Sequence, residues 1–78
     1  MKKFRITSKY ITLGQFLKAT DHIGSGGEAK FFLYENMVYV NKERRSERGK
    51  KLYPGDIVSI GKDEYVMIDD KKNNPKAI

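Results

Sequence analysis

The chain has no cysteine and no tryptophan, and only two prolines and one histidine among its 78 residues. Without cysteine, neither a disulfide framework nor a thiolate zinc site can support a small core. His22 has no carboxylate or cysteine at ligand spacing and reads as a polar loop residue, not a catalyst or metal ligand. The adjacent acidic pairs Asp63-Glu64 and Asp69-Asp70 fall in turns or near the tail, poorly arranged to converge on a metal. No apolar run approaches the roughly 20 residues needed to span a bilayer. Met1-Lys2-Lys3-Phe4-Arg5-Ile6 has charge with no apolar stretch behind it, unlike a secretory signal. These absences argue against an enzyme, a cofactor protein and a membrane protein. They suit a cytoplasmic monomer with no metal, no cofactor and no membrane partner.

Seventy-eight residues make one domain, and a chain this short buries only about 60% of its unfolded surface. Residues 1–68 read as that domain and 69–78 as a polar C-terminal tail. Sixteen basic residues face ten acidic ones, for a net charge of +6. Such an excess raises the expectation of a nucleic acid, an anionic membrane or an acidic protein as partner. Most of it sits in one stretch. Between Asn41 and Lys51, the six cations Lys42, Arg44, Arg45, Arg48, Lys50 and Lys51 face only Glu43 and Glu47.

Lys3 to Thr7 alternates polar and apolar residues, the pattern of a half-buried strand. Thr12-Leu13-Gly14-Gln15 has the form of a capping box, with Ile11 and Phe16 at hydrophobic-staple positions. Leu13, Phe16 and Leu17 then repeat at helical spacing, which predicts a helix over 13–20. Ser25-Gly26-Gly27-Glu28 predicts a second capping box. The helix it opens has Ala29, Phe32 and Leu33 on one face and ends near Glu35, with Asn36 as a left-handed cap. A strand follows at Met37 to Val40. Tyr53-Pro54-Gly55-Asp56 predicts a type II turn, and Ile57 to Ile60 pairs with Glu64 to Ile68 as a hairpin around Gly61-Lys62-Asp63.

Two segments carry candidate chemistry. At the start of the second helix the first amides lack intrahelical partners. Gly26 and Gly27 let an anion approach without Cβ obstruction, and Lys30 lies one turn in. Two readings stand side by side: Ser25 and Glu28 cap the helix and nothing more, or they cap it beside a phosphate contact. The basic loop is the stronger signal. Its arginines take phosphates bidentately or stack on unpaired bases, and its lysines add diffuse attraction. Against that, charge runs are commonly solvated surface, and Glu43 and Glu47 are available for local pairing. Phe31, Tyr34 and Tyr39 fall opposite the apolar sets; they could add stacking on bases, but the expectation for so small a domain is core or rim.

Two short helices, a strand, a basic loop and a Pro-Gly-Asp turn into another strand resemble the S4 RNA-binding domain. The resemblance runs from about Ile11 to Ile60. It rests on Leu13-x-x-Phe16-Leu17-Lys18, Glu28-Ala29-Lys30, Val38-Tyr39-Val40-Asn41 and Pro54-Gly55-Asp56-Ile57-Val58. Gly26-Gly27-Glu28-Ala29-Lys30, with Arg44-Arg45 and Gly49-Lys50-Lys51-Leu52, is similar to the small free-standing S4-like proteins of bacteria of the YaaA and YbcJ type. The Arg-Leu-Asp opening usual for the family's first helix is here Thr12-Leu13-Gly14, and the glycines that flank its strand are Asn36 and Lys42. The resemblance implies an α+β, S4-like (αL motif) domain, with two short helices packed on a small mainly antiparallel β-sheet. It implies a non-catalytic RNA-binding module acting on structured RNA, such as ribosomal RNA in ribosome assembly or maintenance. Lys18, Ser25, Gly26, Gly27, Lys30, Lys42, Arg44, Arg45, Arg48, Lys50 and Lys51 are the candidate RNA-binding residues. The alternatives are a protein-interaction module whose basic loop docks on an acidic partner, and a general nucleic-acid binder that includes DNA.

Overall fold

The computed structural model describes residues 1–70. Along the chain run β1 (Lys2–Ile6), β2 (Ile11–Thr12), α1 (Leu13–Ala19), a 3-10 turn (Gly26–Glu28), α2 (Ala29–Glu35), β3 (Val38–Val40), β4 (Glu43–Arg44), β5 (Lys51–Leu52), β6 (Ile57–Ile60) and β7 (Asp63–Asp69). The main sheet has five strands in the order β1-β7-β6-β3-β4, and β2 pairs with β5 in a separate ribbon. All pairs in the main sheet are antiparallel except β1 with β7, where Phe4 lies beside Met67. The α+β class and mainly antiparallel sheet therefore agree with expectation.

Period-2 patterning fixes which face of the sheet is covered. Val38, Val40, Val58, Ile60, Tyr65 and Met67 point to one side, where Leu13, Phe16, Leu17, Ala29 and Leu33 of the helices complete the core. Phe16 is central: its ring meets Phe4 edge-on at 5.0 Å and Tyr65 at 5.1 Å. Residues paired across strands share a face, so Tyr39, Arg44, Ser59 and Glu64 lie on the opposite side, which carries no helix.

The capping box of α1 is present in both directions. Gln15 N–H donates to Thr12 Oγ1 at 3.2 Å, and Thr12 N–H to Gln15 Oε1 at 2.9 Å. The helix ends in a Schellman arrangement, with His22 N–H donating to Leu17 O and Asp21 N–H to Lys18 O. Asp21 takes the left-handed conformation there, at φ 61°.

Several expectations are corrected. Ser25 makes no capping bond. The chain tightens into a 3-10 turn, Glu28 N–H donates to the Ser25 carbonyl, and the Glu28 carboxylate turns back to accept from Gly24 N–H and Ser25 Oγ. Asn36 is extended (φ −121°) instead of left-handed, and its amide side chain caps α2 by donating to Phe32 O at 3.0 Å. The hairpin loop between β6 and β7 is Gly61-Lys62 alone, because Asp63 already pairs with Ile60. Asp69 closes β7 and Asp70 N–H donates to Ile6 O, so neither belongs to a tail; residues 71–78 of the expected tail lie outside the described residues. The Pro54-Gly55 turn is as expected, with Gly55 at φ 98° and Asp56 N–H donating to Tyr53 O.

The β3–β4 loop is a two-residue turn, Asn41-Lys42, with both residues at positive φ (52° and 71°), the type I′ arrangement. Asn41 suits it, and its side chain bonds Asp56 Oδ1 and Ile57 N–H. Lys42 does not, because its Cβ crowds the backbone in that conformation. Lys42→Gly is expected to raise stability by about 0.5–1 kcal/mol, the relief of left-handed strain less the entropy glycine loses on folding, read from the shift in chemical-denaturation midpoint.

Candidate nucleic-acid interface

The basic stretch from Asn41 to Lys51, which its length allows to be a single hairpin, divides into two parts. Its first part forms the β3–β4 turn, and residues 45–50 then cross to the start of α1. Leu13 N–H donates to Lys50 O and Gly14 N–H to Arg48 O, both at 2.8 Å. With Gln15 N–H on Thr12 Oγ1, the first three orphan amides of α1 are satisfied by the loop and the cap. No amide is left there for an external anion. The loop's backbone is instead fixed against the helix, and its side chains project from that frame.

Gly14 permits this approach. A Cβ at position 14 would lie 3.3 Å from Arg48 O and 3.4 Å from Arg48 Cβ. By contrast, a Cβ at Gly26, Gly27 or Gly49 would meet nothing within 4 Å, and the fold itself does not require glycine at these three positions.

The cations divide between two faces. Arg44 pairs with Tyr39 on the uncovered face of the sheet. Lys42 lines a groove on that side with Met1, Ile57, Ser59 and Glu64. Arg48 lies on the helix side, in an open groove of about 380 Å³ with Thr12, Gly14, Gln15, Gly26 and Gly49. Gly26 and Arg48, far apart in sequence, thus line one groove. Lys30 lines a neighbouring groove with Phe31, Tyr34 and Ser46 of the loop. Lys51 is over the Tyr10 ring, 5.0 Å from its centroid, and Tyr10 in turn packs on Tyr53. Lys18 is exposed on α1. Lys18, Lys30, Lys42, Arg44, Arg48, Lys50 and Lys51 form no ion pair with a described residue.

Arg45 differs from its neighbours. Its guanidinium pairs with Glu43 at 3.5 Å and with Glu47 at 3.3 Å, its side chain is only 32% exposed, and its Nε has no partner. The amides of Ser46 and of Glu47 itself, followed by the Arg45 charge, hold the Glu47 carboxyl below the usual glutamate range. Glu43, Arg45 and Glu47 are two residues apart, so an extended chain turns all three the same way. That spacing is the signal in the sequence for the pairing of Arg45 within its own loop. Phe31 and Tyr34 are outward, at 68% and 84% exposure, where core or rim was the expectation. Ser46, Gln15 and Gly49 also line the grooves and had drawn no attention as site residues. Among the described residues no group of His, Cys, Asp or Glu could hold a metal ion.

Comparison with known families matches residues 4–68 to the S4 domain. The chain belongs to the S4 domain family. A relative from Bacillus subtilis (strain 168), the probable ribosome maturation protein RlbA, is 58% identical over 55 residues, covering 70% of this chain and 78% of its own. In this S4 domain the Thr12-Leu13-Gly14 opening of α1 has a structural reason: glycine at 14 admits the loop, and threonine at 12 closes the capping box.

Two substitutions test this division of roles. Gly14→Val should lower stability by about 1–3 kcal/mol through overpacking against the Arg48 carbonyl, seen as a fall in thermal midpoint. Arg45→Ala should cost about 1 kcal/mol, since it leaves two carboxylates facing each other and removes a partly buried stem, whereas Arg48→Ala should shift the midpoint by less than about 0.5 kcal/mol.

Proposed function

We propose that this S4 domain is a non-catalytic, cytoplasmic RNA-binding module that acts as a monomer on structured ribosomal RNA during ribosome maturation. The observation that carries the reading is that Arg48, on a loop whose backbone is fixed to α1, lines one groove with Gly26, while Lys30 lines a second groove with Ser46 of the same loop. Two segments remote in sequence supply a backbone turn with no Cβ at Gly26 and Gly27 and cations without ion-pair partners among the described residues at one place. That combination suits a phosphate backbone held at a defined position.

Arg48, Lys50 and Lys30 are the residues assigned to phosphates on the helix side, with Lys18 and Lys51 extending that patch. The Ser25-Gly26-Gly27 turn offers close approach, though the Glu28 carboxylate is folded back on Gly24 and Ser25 and leaves less room for an anion there. Lys42 and Arg44, on the uncovered sheet face, add longer-range attraction. Arg45 is assigned to loop architecture. Contacts of this type fix position and shape without reading sequence. The similarity to a probable ribosome maturation protein supports ribosomal RNA as the target.

The test is a titration against total ribosomal RNA and against a DNA duplex of matched length, at several salt concentrations. The expected result is a clear RNA preference and a log–log salt slope of roughly −3 to −4, the signature of four or five neutralised phosphates. Arg48→Ala should flatten that slope by about one unit. Equal affinity for the DNA duplex would reduce the reading to general nucleic-acid attraction. Salt-insensitive binding, or none, would turn the search to an acidic protein partner.

A further inference from the structure

Phe31 and Tyr34 are three residues apart on α2, so they stand together on its outer face while Ala29 and Leu33 are buried on the inner one. Neither ring contacts another ring among the described residues. With Lys30 and Ser46 they line an open groove of about 420 Å³. Neither ring belongs to the core or to the partly buried hydrophobics packed against it.

We propose that Phe31 and Tyr34 are a stacking platform for unpaired bases of the bound RNA, with Lys30 taking the phosphate beside them. The proposal rests on the RNA-binding reading above and adds what that reading lacks: a preference for single-stranded nucleotides. Charge complementarity favours an RNA over a protein at this groove. Lys30 and Arg48 form no ion pair with a described residue, whereas Glu47 is engaged by Arg45 and Glu28 by Gly24 and Ser25, which leaves Glu35, at the far end of α2, as the one carboxylate of that helix set against them. Two aromatic faces among unpaired cations fit nucleotides, since every base offers a π-face to stack and every nucleotide a phosphate. In a paired A-form helix the base faces are covered, so the platform engages only loops, bulges or ends.

The test compares wild type with Phe31→Ala/Tyr34→Ala on two probes, total ribosomal RNA and a fully paired RNA duplex, and maps nucleotide adducts formed by short-wave ultraviolet light. Thermal melting shows that the variant is folded. The expected result is a loss of tenfold or more in affinity for ribosomal RNA, with an unchanged salt slope and an unchanged affinity for the duplex. Wild-type adducts should fall on Phe31 or Tyr34 and on unpaired nucleotides, and Phe31→Tyr/Tyr34→Phe should restore binding. An affinity within twofold of wild type would overturn the platform while leaving the RNA-binding reading intact. An equal loss on both probes would do the same. Failure of wild type to prefer ribosomal RNA over DNA would overturn both. Retention of wild type, but not the variant, on RNA-free ribosomal proteins would assign the rings to a protein partner and overturn the platform.

Discussion

Two backbone hydrogen bonds, Leu13 N–H to Lys50 O and Gly14 N–H to Arg48 O, join the most basic segment of this chain to the start of its first helix. They solve two problems together. A helix of seven residues has little stability of its own and begins with orphan donors. A loop dense in positive charge tends to be expelled into solvent by self-repulsion. Docking the loop's carbonyls on the helix's amides satisfies the first and confines the second. The β2–β5 ribbon, which pairs Ile11 with Leu52 and Thr12 with Lys51, extends the same junction. The core follows from it, because Leu13 and Leu52, both fully buried, enter the interior from the two strands of chain that meet there.

For the proposed phosphate contact, the consequence is preorganisation. A flexible basic loop would lose conformational entropy on meeting a phosphate backbone, and that cost would be subtracted from the affinity. Here the backbone from Arg48 to Lys50 is already held, so what remains to be ordered is side-chain rotamers. Arg45 contributes to the same end from within. Its pairing with Glu43 and Glu47 ties one arginine to two carboxylates of its own loop, next to Ser46, which lines the α2 groove.

Features that depend on neighbours in sequence were legible before the structure. The Thr12–Gln15 capping box and the Pro54-Gly55 turn involve residues three apart or fewer, and local stereochemistry decides them. The same Ser-x-x-Glu pattern at Ser25 misled. Two glycines between the partners let the chain tighten into a 3-10 turn, in which the Ser25 carbonyl, not its hydroxyl, takes the Glu28 amide. Asn36 misled similarly, because its side chain reaches back to Phe32 O from an extended backbone and no left-handed cap is needed. Long-range outcomes left weaker marks. Nothing in Lys2–Ile6 announces a parallel partner in β7, and nothing in Arg48 announces Gly14. The division of the loop between two faces was readable only in part, through the two-residue spacing of Glu43, Arg45 and Glu47.

The grouping of the candidate residues by face also limits how an RNA can lie on the domain. Arg48, Gly26 and Lys30 share the side on which the helices stand, and Phe31 and Tyr34 project from that same side. Lys42 and Arg44 are across the sheet, separated from it by the covered core of Val38, Val40, Val58 and Ile60. A rigid duplex tangent to the helix side cannot touch both sets at once. Either the RNA bends round the β4 edge, or the far cations act only through their field, which decays over about 8–10 Å at physiological salt. The second arrangement asks nothing of the RNA's shape, and under the proposed function it leaves positional selectivity to the helix side, where the loop is fixed and the two rings are exposed.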